Sequence, residues 1–294
     1  MSLRIEMLQA AKLAANVLAD SQELAARFFF SQRTSGGGFR DREGKPDLYY
    51  SVFGVEGLCA LGCDFSQNHV EVYLKQFENG ENLDFVHLSS LVRCWADLKG
   101  DAGQQLDGKK IMTHLERYRT PDGGFNPTLN AKQGSAYGCF LALGIYEDMG
   151  MEINGREKLI HSIQSLRSND GGYANLPGME YGLTTAAAAA VCLLDSLESP
   201  IPEGIGDWLL GCCHPQGGFF AALMAPIPDL LSTATALHAL ERMRISLAPI
   251  QEKTLDFLDS LWCNQGGFYG NWADDILDCE YTFYGLLSLG HLSH

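Results

Sequence analysis

The most suggestive chemistry lies near the end of the chain, where Asp274, Asp275 and Asp278 stand as Asp-Asp-x-x-Asp, followed directly by Cys279. If that stretch is helical, Asp274 and Asp278 share a face. They would then reach one hard cation such as magnesium, whose retained waters tolerate loose geometry. A plainer role fits as well, because carboxylates at a helix start cap its free N–H groups and favour its dipole. Cys279 adds a thiol that binds metal or attacks carbon only as thiolate. Asp278 and Cys279 diverge by about 100° on a regular helix. The two could not both point at one ion without local unwinding, while magnesium through Asp274 and Asp278 stays open.

Aromatic residues form the second set. Tyr49, Tyr50 and Phe53, then Tyr137 and Phe140, then Tyr281 and Tyr284 each open an apolar, helix-like stretch. Their π faces suit an apolar chain or a developing carbocation, and core packing is the competing explanation. His87 opens another such stretch, either facing a cavity or as an ordinary hydrogen-bonded imidazole. Arg40, Arg42 and Lys45 share one loop, where they either meet an anionic group or are simply solvated.

A repeat must position these residues. Gly-Gly-aromatic recurs at Gly37, Gly123, Gly171, Gly217 and Gly266, at intervals of 86, 48, 46 and 49 residues. The first interval is about twice the rest, so a degenerate copy is expected near Gly80, giving six units. Each unit reads as an amphipathic helix, a glycine turn, a polar loop, and a second helix rich in Ala, Leu and Tyr. Thr184 to Leu197 is apolar almost all round and must be buried on every side. Gln251 to Leu261 keeps a polar stripe. The expectation is an all-α (α/α)6 toroid in one domain over residues 1–294, six buried helices inside six amphipathic ones. Leu3 to Leu18 is expected to form an extra N-terminal helix sealing the join.

Composition narrows the function. Lys and Arg number 21 against 36 Asp and Glu, a net charge of −15, which disfavours nucleic acid and anionic membrane surfaces. Charges spread through residues 1–32 argue against a signal peptide or a membrane span. Nine cysteines without a Cys-x-x-Cys framework read as reduced, mostly structural thiols. A soluble cytoplasmic protein is expected.

The stretch Gly37 to Leu58, GGFRDREGKPDLYYSVFGVEGL, closely resembles the last repeat of the protein prenyltransferase β-subunits, especially the Rab geranylgeranyl type. Echoes follow at Ser135-Ala136-Tyr137-Gly138-Cys139, Gly178-Met179-Glu180 and Asp278-Cys279-Glu280-Tyr281. The resemblance implies an isoprenoid diphosphate in a central cavity, with prenyl transfer or terpene-type chemistry, and a helical partner subunit or a homodimer. It places Asp278 and Cys279 as catalytic residues and zinc ligands, a site expected to be vacant or weak because the two side chains diverge on a helix; Asp274 joins Asp278 as a metal ligand only through the spacing above. The substrate set becomes Tyr49, Tyr50, Phe53, His87, Tyr137, Phe140, Tyr181, Tyr281, Tyr284, Arg40 and Lys45.

The sequence departs from that family at several of these positions. Tyr50 takes the place of the zinc-binding His, Tyr181 follows Gly-Met-Glu where a diphosphate-binding His is usual, and Asp274-Asp275 replace cations. The matching units are the sixth and first rather than the last two, a circular shift that only a closed ring would tolerate. Two other functions remain open: a non-catalytic binding toroid that has lost its zinc site, and an (α/α)6 carbohydrate enzyme pairing Asp275 with Glu56.

Overall fold

The Gly-Gly-aromatic turns all fold alike. In the computed structural model, which describes residues 2–64 and 67–293, the first glycine of each turn has a positive φ, from 89° at Gly123 to 97° at Gly37. That region is strained for a residue with a Cβ. The chain then folds back through one antiparallel bridge, Arg33 with Phe39, Arg119 with Phe125, Arg167 with Tyr173, Cys213 with Phe219 and Trp262 with Phe268. In each the aromatic is buried. The second unit keeps Gly80 at φ 73°, but the bridge is not among those found in the described residues.

Each turn joins an outer helix to an inner one. The outer helices are α3 (Gln22–Ser31), α5 (Gln67–Lys75), α7 (Gly108–Leu115), α9 (Arg156–Ser165), α11 (Ile205–Gly211) and α13 (Gln251–Leu261). The inner helices are α4 (Leu48–Ala60), α6 (Phe85–Lys99), α8 (Ala136–Asp148), α10 (Thr184–Ser196), α12 (Leu230–Arg242) and α14 (Cys279–His291). Inner helices pack in sequence order, and α14 returns to pack on α4, so the inner ring closes. The outer ring closes too. A Cβ on Gly37 would stand 1.9 Å from the His69 carbonyl oxygen of α5, and one on Gly266 would stand 2.1 Å from that of Leu24 in α3. Gly37, Gly123, Gly217 and Gly266 are thus joints to the next outer helix, the last onto the first, whereas an added Cβ at Gly171 meets nothing within 4 Å.

Five inner helices begin at a side-chain cap, from Asp47, Asp84, Ser135, Asp229 and Asp278. These caps satisfy the free N–H groups of helices whose ends are enclosed by neighbours. The inner ring also buries charge. Arg93 holds Glu56 through two hydrogen bonds of 2.6 and 2.8 Å, and Glu56 is 0% exposed; a buried carboxylate persists only when paired in this way.

The extra N-terminal segment differs from expectation. It divides into α1 (Leu3–Lys12) and a short α2 (Ala15–Leu18). Rather than only sealing the join, α1 lies across the end of the ring where the inner helices finish, touching α14, α4 and α8. Arg4 binds Asp97 and Asp148, both at 2.8 Å, the Leu3 amide donates to Glu147, and Arg242 pairs with Glu6. These polar anchors come from the ends of α6, α8 and α12, which is why the helix spans the ring. No described helix is long and apolar enough to cross a membrane.

Candidate functional site

A cavity of about 300 Å3 runs between the inner helices and ends on Met7 of α1. Its walls are Tyr49 of α4, Tyr137 and Phe140 of α8, Thr185, Ala186, Ala188, Ala189 and Cys192 of α10, Leu231, Thr235 and His238 of α12, and Tyr284 and Leu287 of α14, with Asn175 from the fourth loop. The alanines of α10 make the room: small side chains there leave volume that larger ones would fill. The volume lies at the small end of ligand pockets, about 300–1,000 Å3.

Four of the expected residues therefore meet in one wall: Tyr49, Tyr137, Phe140 and Tyr284. Phe53 is buried behind them, its ring 5.0 Å from Tyr49 and 5.4 Å from Tyr284. Tyr50 packs edge-on to Tyr49 at 5.6 Å. Burial, helped by Asp278 and Glu280, pushes its phenol up to about 12, so at neutral pH it offers no phenolate to a metal. The Tyr281 ring carries the Arg42 guanidinium at 5.1 Å. Three expected residues lie off the wall: Tyr181 is 53% exposed, and Arg40 and Lys45 are exposed on the first hairpin, β1 (Phe39–Arg40) with β2 (Pro46–Asp47), where Lys45 pairs with Glu43 at 2.7 Å.

His87 does not reach the cavity wall either. Its Nδ1 is 2.9 Å from Asp84 and its Nε2 3.2 Å from Asp47, the caps of α6 and α4. Hydrogen bonding to Asp47, then to Asp84, raises its pKa to about 9 against the opposing effect of burial. It is a cation at neutral pH that ties two caps together.

The helical geometry by which Asp274 and Asp278 would share a magnesium ion is not present. Residues 274–278 are not helical, since α14 starts at Cys279, so the shared helix face does not exist. The Arg42 guanidinium fills the space between the two carboxylates instead. Nε is 2.7 Å from Asp278 Oδ2, and the two terminal nitrogens are 2.8 and 3.2 Å from Asp274. Asp278 also accepts from the Tyr281 amide as the α14 cap. Cys279 is 0% exposed, and burial pushes its thiol well up, with Asp278 adding to the shift. Among the described residues no three His, Cys, Asp or Glu side chains gather as a metal donor set. The donors do not fit zinc, and Asp278 and Cys279 are a helix cap and a core thiol. The carbohydrate reading loses its acid pair as well, with Glu56 sealed against Arg93 and Asp275 on an exposed loop.

Two groups escaped sequence reasoning. Glu280, adjacent to Cys279, accepts a 2.5 Å hydrogen bond from the Tyr49 hydroxyl. Burial and the neighbouring Asp278 push its carboxyl up to about 7, against the stabilising Tyr49 bond and Arg42. His238 lines the deep end of the cavity. Nothing in the sequence distinguished it, because a single His in an apolar helix is usually a packed one. Met7 was legible in principle, since Leu3, Met7 and Ala11 recur at helical spacing and all are buried.

The chain resembles solved toroids over nearly its whole length. It matches Candida albicans protein geranylgeranyltransferase-I complexed with GGPP at a TM-score of 0.70 and 17% identity, covering 91% of this chain and 90% of that one. It matches the type II terpene cyclase MstE from Scytonema at 0.63 and 10%, covering 95% and 98%. A variant of that cyclase in complex with geranylgeranyl dihydroxybenzoate matches at 0.62 and 12%, covering 99% and 98%. At such identities these likenesses establish the fold alone. The prenyltransferase alpha-alpha toroid domain model, however, matches residues 4–88, 79–210 and 187–293, and on that evidence the chain belongs to the prenyltransferase α/α-toroid family.

Proposed function

We propose that the central cavity binds an isoprenoid chain. The observation that carries this reading is the convergence of Tyr49, Tyr137, Phe140 and Tyr284, from three inner helices, on one mostly apolar chamber whose other polar side chains are Asn175, Thr185, Thr235 and His238. Aromatic walls of this kind favour a polyunsaturated chain over a sugar, which needs several convergent polar groups. Solved toroids of like fold hold GGPP or a geranylgeranyl dihydroxybenzoate, which supports the ligand class. The diphosphate head implied by the sequence is disfavoured. Asp47, Asp84, Asp229, Asp274, Asp278 and Glu280 gather where the inner helices begin, and the cations among them, Arg42 and His87, are each held between two of these carboxylates. An added anion meets repulsion there.

Among the described residues no three metal donors gather, and one observation favours proton transfer over simple binding. Glu280 titrates near neutrality and is bonded to Tyr49, a chamber wall, which is the behaviour of a general acid. We also propose a partner subunit or second copy over the loop side chains Leu176, Met179 and Met224, which are 57%, 45% and 83% exposed, and a cytoplasmic location, supported by nine unpaired cysteines. Thermal-shift titration tests the ligand class. Farnesol and geranylgeraniol are expected to raise Tm, more than their diphosphates and more than a malto-oligosaccharide. A shift with the sugar alone would reverse the reading.

A further inference from the structure

One nitrogen at the deep end of the chamber has no partner. His238, on α12, lines both the chamber and a second cavity of about 440 Å3 beyond it, whose walls include Glu6, Glu241, Arg242, Gly290 and His291. The side chain is buried, with the residue 6% exposed. Its Nδ1 lies 3.2 Å from His291 Nε2, and His291 Nδ1 meets the Glu241 carboxylate. Nε2, on the far edge of the ring, is buried with no hydrogen-bond partner.

The chemistry of the chain gives that nitrogen a definite character. A carboxylate only accepts, so His291 Nδ1 carries a proton; in a neutral imidazole its Nε2 is then a lone pair, and must accept from His238 Nδ1–H. His238 Nε2 is left as a bare acceptor. Burial first, and then the Arg242 charge, oppose a second proton on this ring, so beside a neutral His291 it stays an acceptor. The closest hydroxyl along the helix does not serve it, because Thr235 donates to the Leu231 carbonyl at 2.8 Å. Met7, the floor, has no donor to offer. Buried acceptors are rarely left unpaired without a reason.

We infer that His238 Nε2 is a recognition point for a hydroxyl, accepting a hydrogen bond from the O–H of a prenyl alcohol bound hydroxyl-inward, with the chain running back along Tyr284, Phe140 and Tyr137 towards the mouth. This rests on the isoprenoid reading above and deepens it from a chain class to a head group and an orientation. The carboxylates at the mouth agree with it, since a neutral alcohol passes them and a diphosphate is repelled. His291 and Glu241 act as positioning residues that fix the His238 tautomer, as a second partner commonly does for an imidazole.

The test compares farnesol, farnesyl methyl ether and farnesene by calorimetric titration into the full chain. Farnesol should bind tightest, about tenfold or more above the ether, the loss expected when a buried acceptor is left without its donor. His238→Leu should bind all three alike, with the affinity of the hydrocarbon retained. If that variant does not fold, the ranking in the unaltered protein decides alone. Equal binding of the three in the unaltered protein overturns the hydroxyl assignment and leaves the isoprenoid reading standing. Tighter binding of farnesyl diphosphate than of farnesol does the same. No binding by any of them overturns both.

Discussion

The Tyr49 hydroxyl donates to Glu280 across 2.5 Å, joining the second residue of the first inner helix to the second residue of the last at the point where the ring closes. Glu280 holds its proton up to about pH 7 there, whereas a free glutamate loses it near 4.3. The folded state therefore binds this proton more tightly than the unfolded chain. Its contribution to stability is fully present below the unfolded value, declines as pH rises towards 7, and is gone above it; the loss is at most about 4 kcal/mol. Glu280→Gln keeps the shape and removes the titration. Melting curves should show a smaller fall in Tm between pH 5 and 8 for the variant than for the unaltered protein, and identical slopes would show that Glu280 is not the titrating group.

Arg42 occupies the space a metal would need, so removing it should both weaken the fold and create a cation site. Arg42→Ala leaves Asp278, 2% exposed, without its counter-charge. Because Arg42 is itself about one-third exposed, the expected cost is about 1–3 kcal/mol rather than the full value for a sealed pair. Millimolar magnesium should recover part of the lost Tm in the variant and leave the unaltered protein unchanged. Stabilisation of the unaltered protein by magnesium alone would contradict the ion-pair description.

The contact between α1 and α14 makes a paired prediction about glycine. A Cβ on Gly290 would stand 1.8 Å from the Ala10 carbonyl oxygen, backbone that moves only if α1 moves. Gly290→Ala should cost more than about 2 kcal/mol. Gly144, in the middle of α8, has nothing within 4 Å of its added Cβ, and Gly144→Ala should be neutral or stabilise by up to about 1 kcal/mol. Denaturant midpoints for the two variants check this; equal effects would mean that α1 is not seated closely on the ring.

Much of the architecture was legible because repetition exposes it: glycine turns 46 to 49 residues apart with one interval of 86, and unit-one and unit-six motifs that are neighbours only in a closed circle. Four wall residues, Tyr49, Tyr137, Phe140 and Tyr284, followed from the same repeat, since each falls within the first turns of an inner helix. What failed was local conformation. Asp274 and Asp278 have helical spacing but sit in a loop, and no pattern of residue types distinguishes the two. Long-range pairing was hidden as well. Arg4 finds Asp97 and Asp148 across 93 and 144 residues, and Arg93 meets Glu56 inside the ring, where the sequence offered Glu56 only as a candidate partner of Asp275. His238 became notable only when the fold placed it between two cavities.

The central claim, that the chamber binds an isoprenoid chain, is tested most directly by filling the chamber. Ala189 lies in its wall on α10, and Ala189→Phe should occupy space the ligand needs while leaving the outer ring untouched. Calorimetric titration with farnesol is expected to give a saturable heat with the unaltered protein and at least about a tenfold weaker response with the variant, at closely similar Tm. Undiminished binding in a folded Ala189→Phe protein would place the ligand elsewhere and contradict the account.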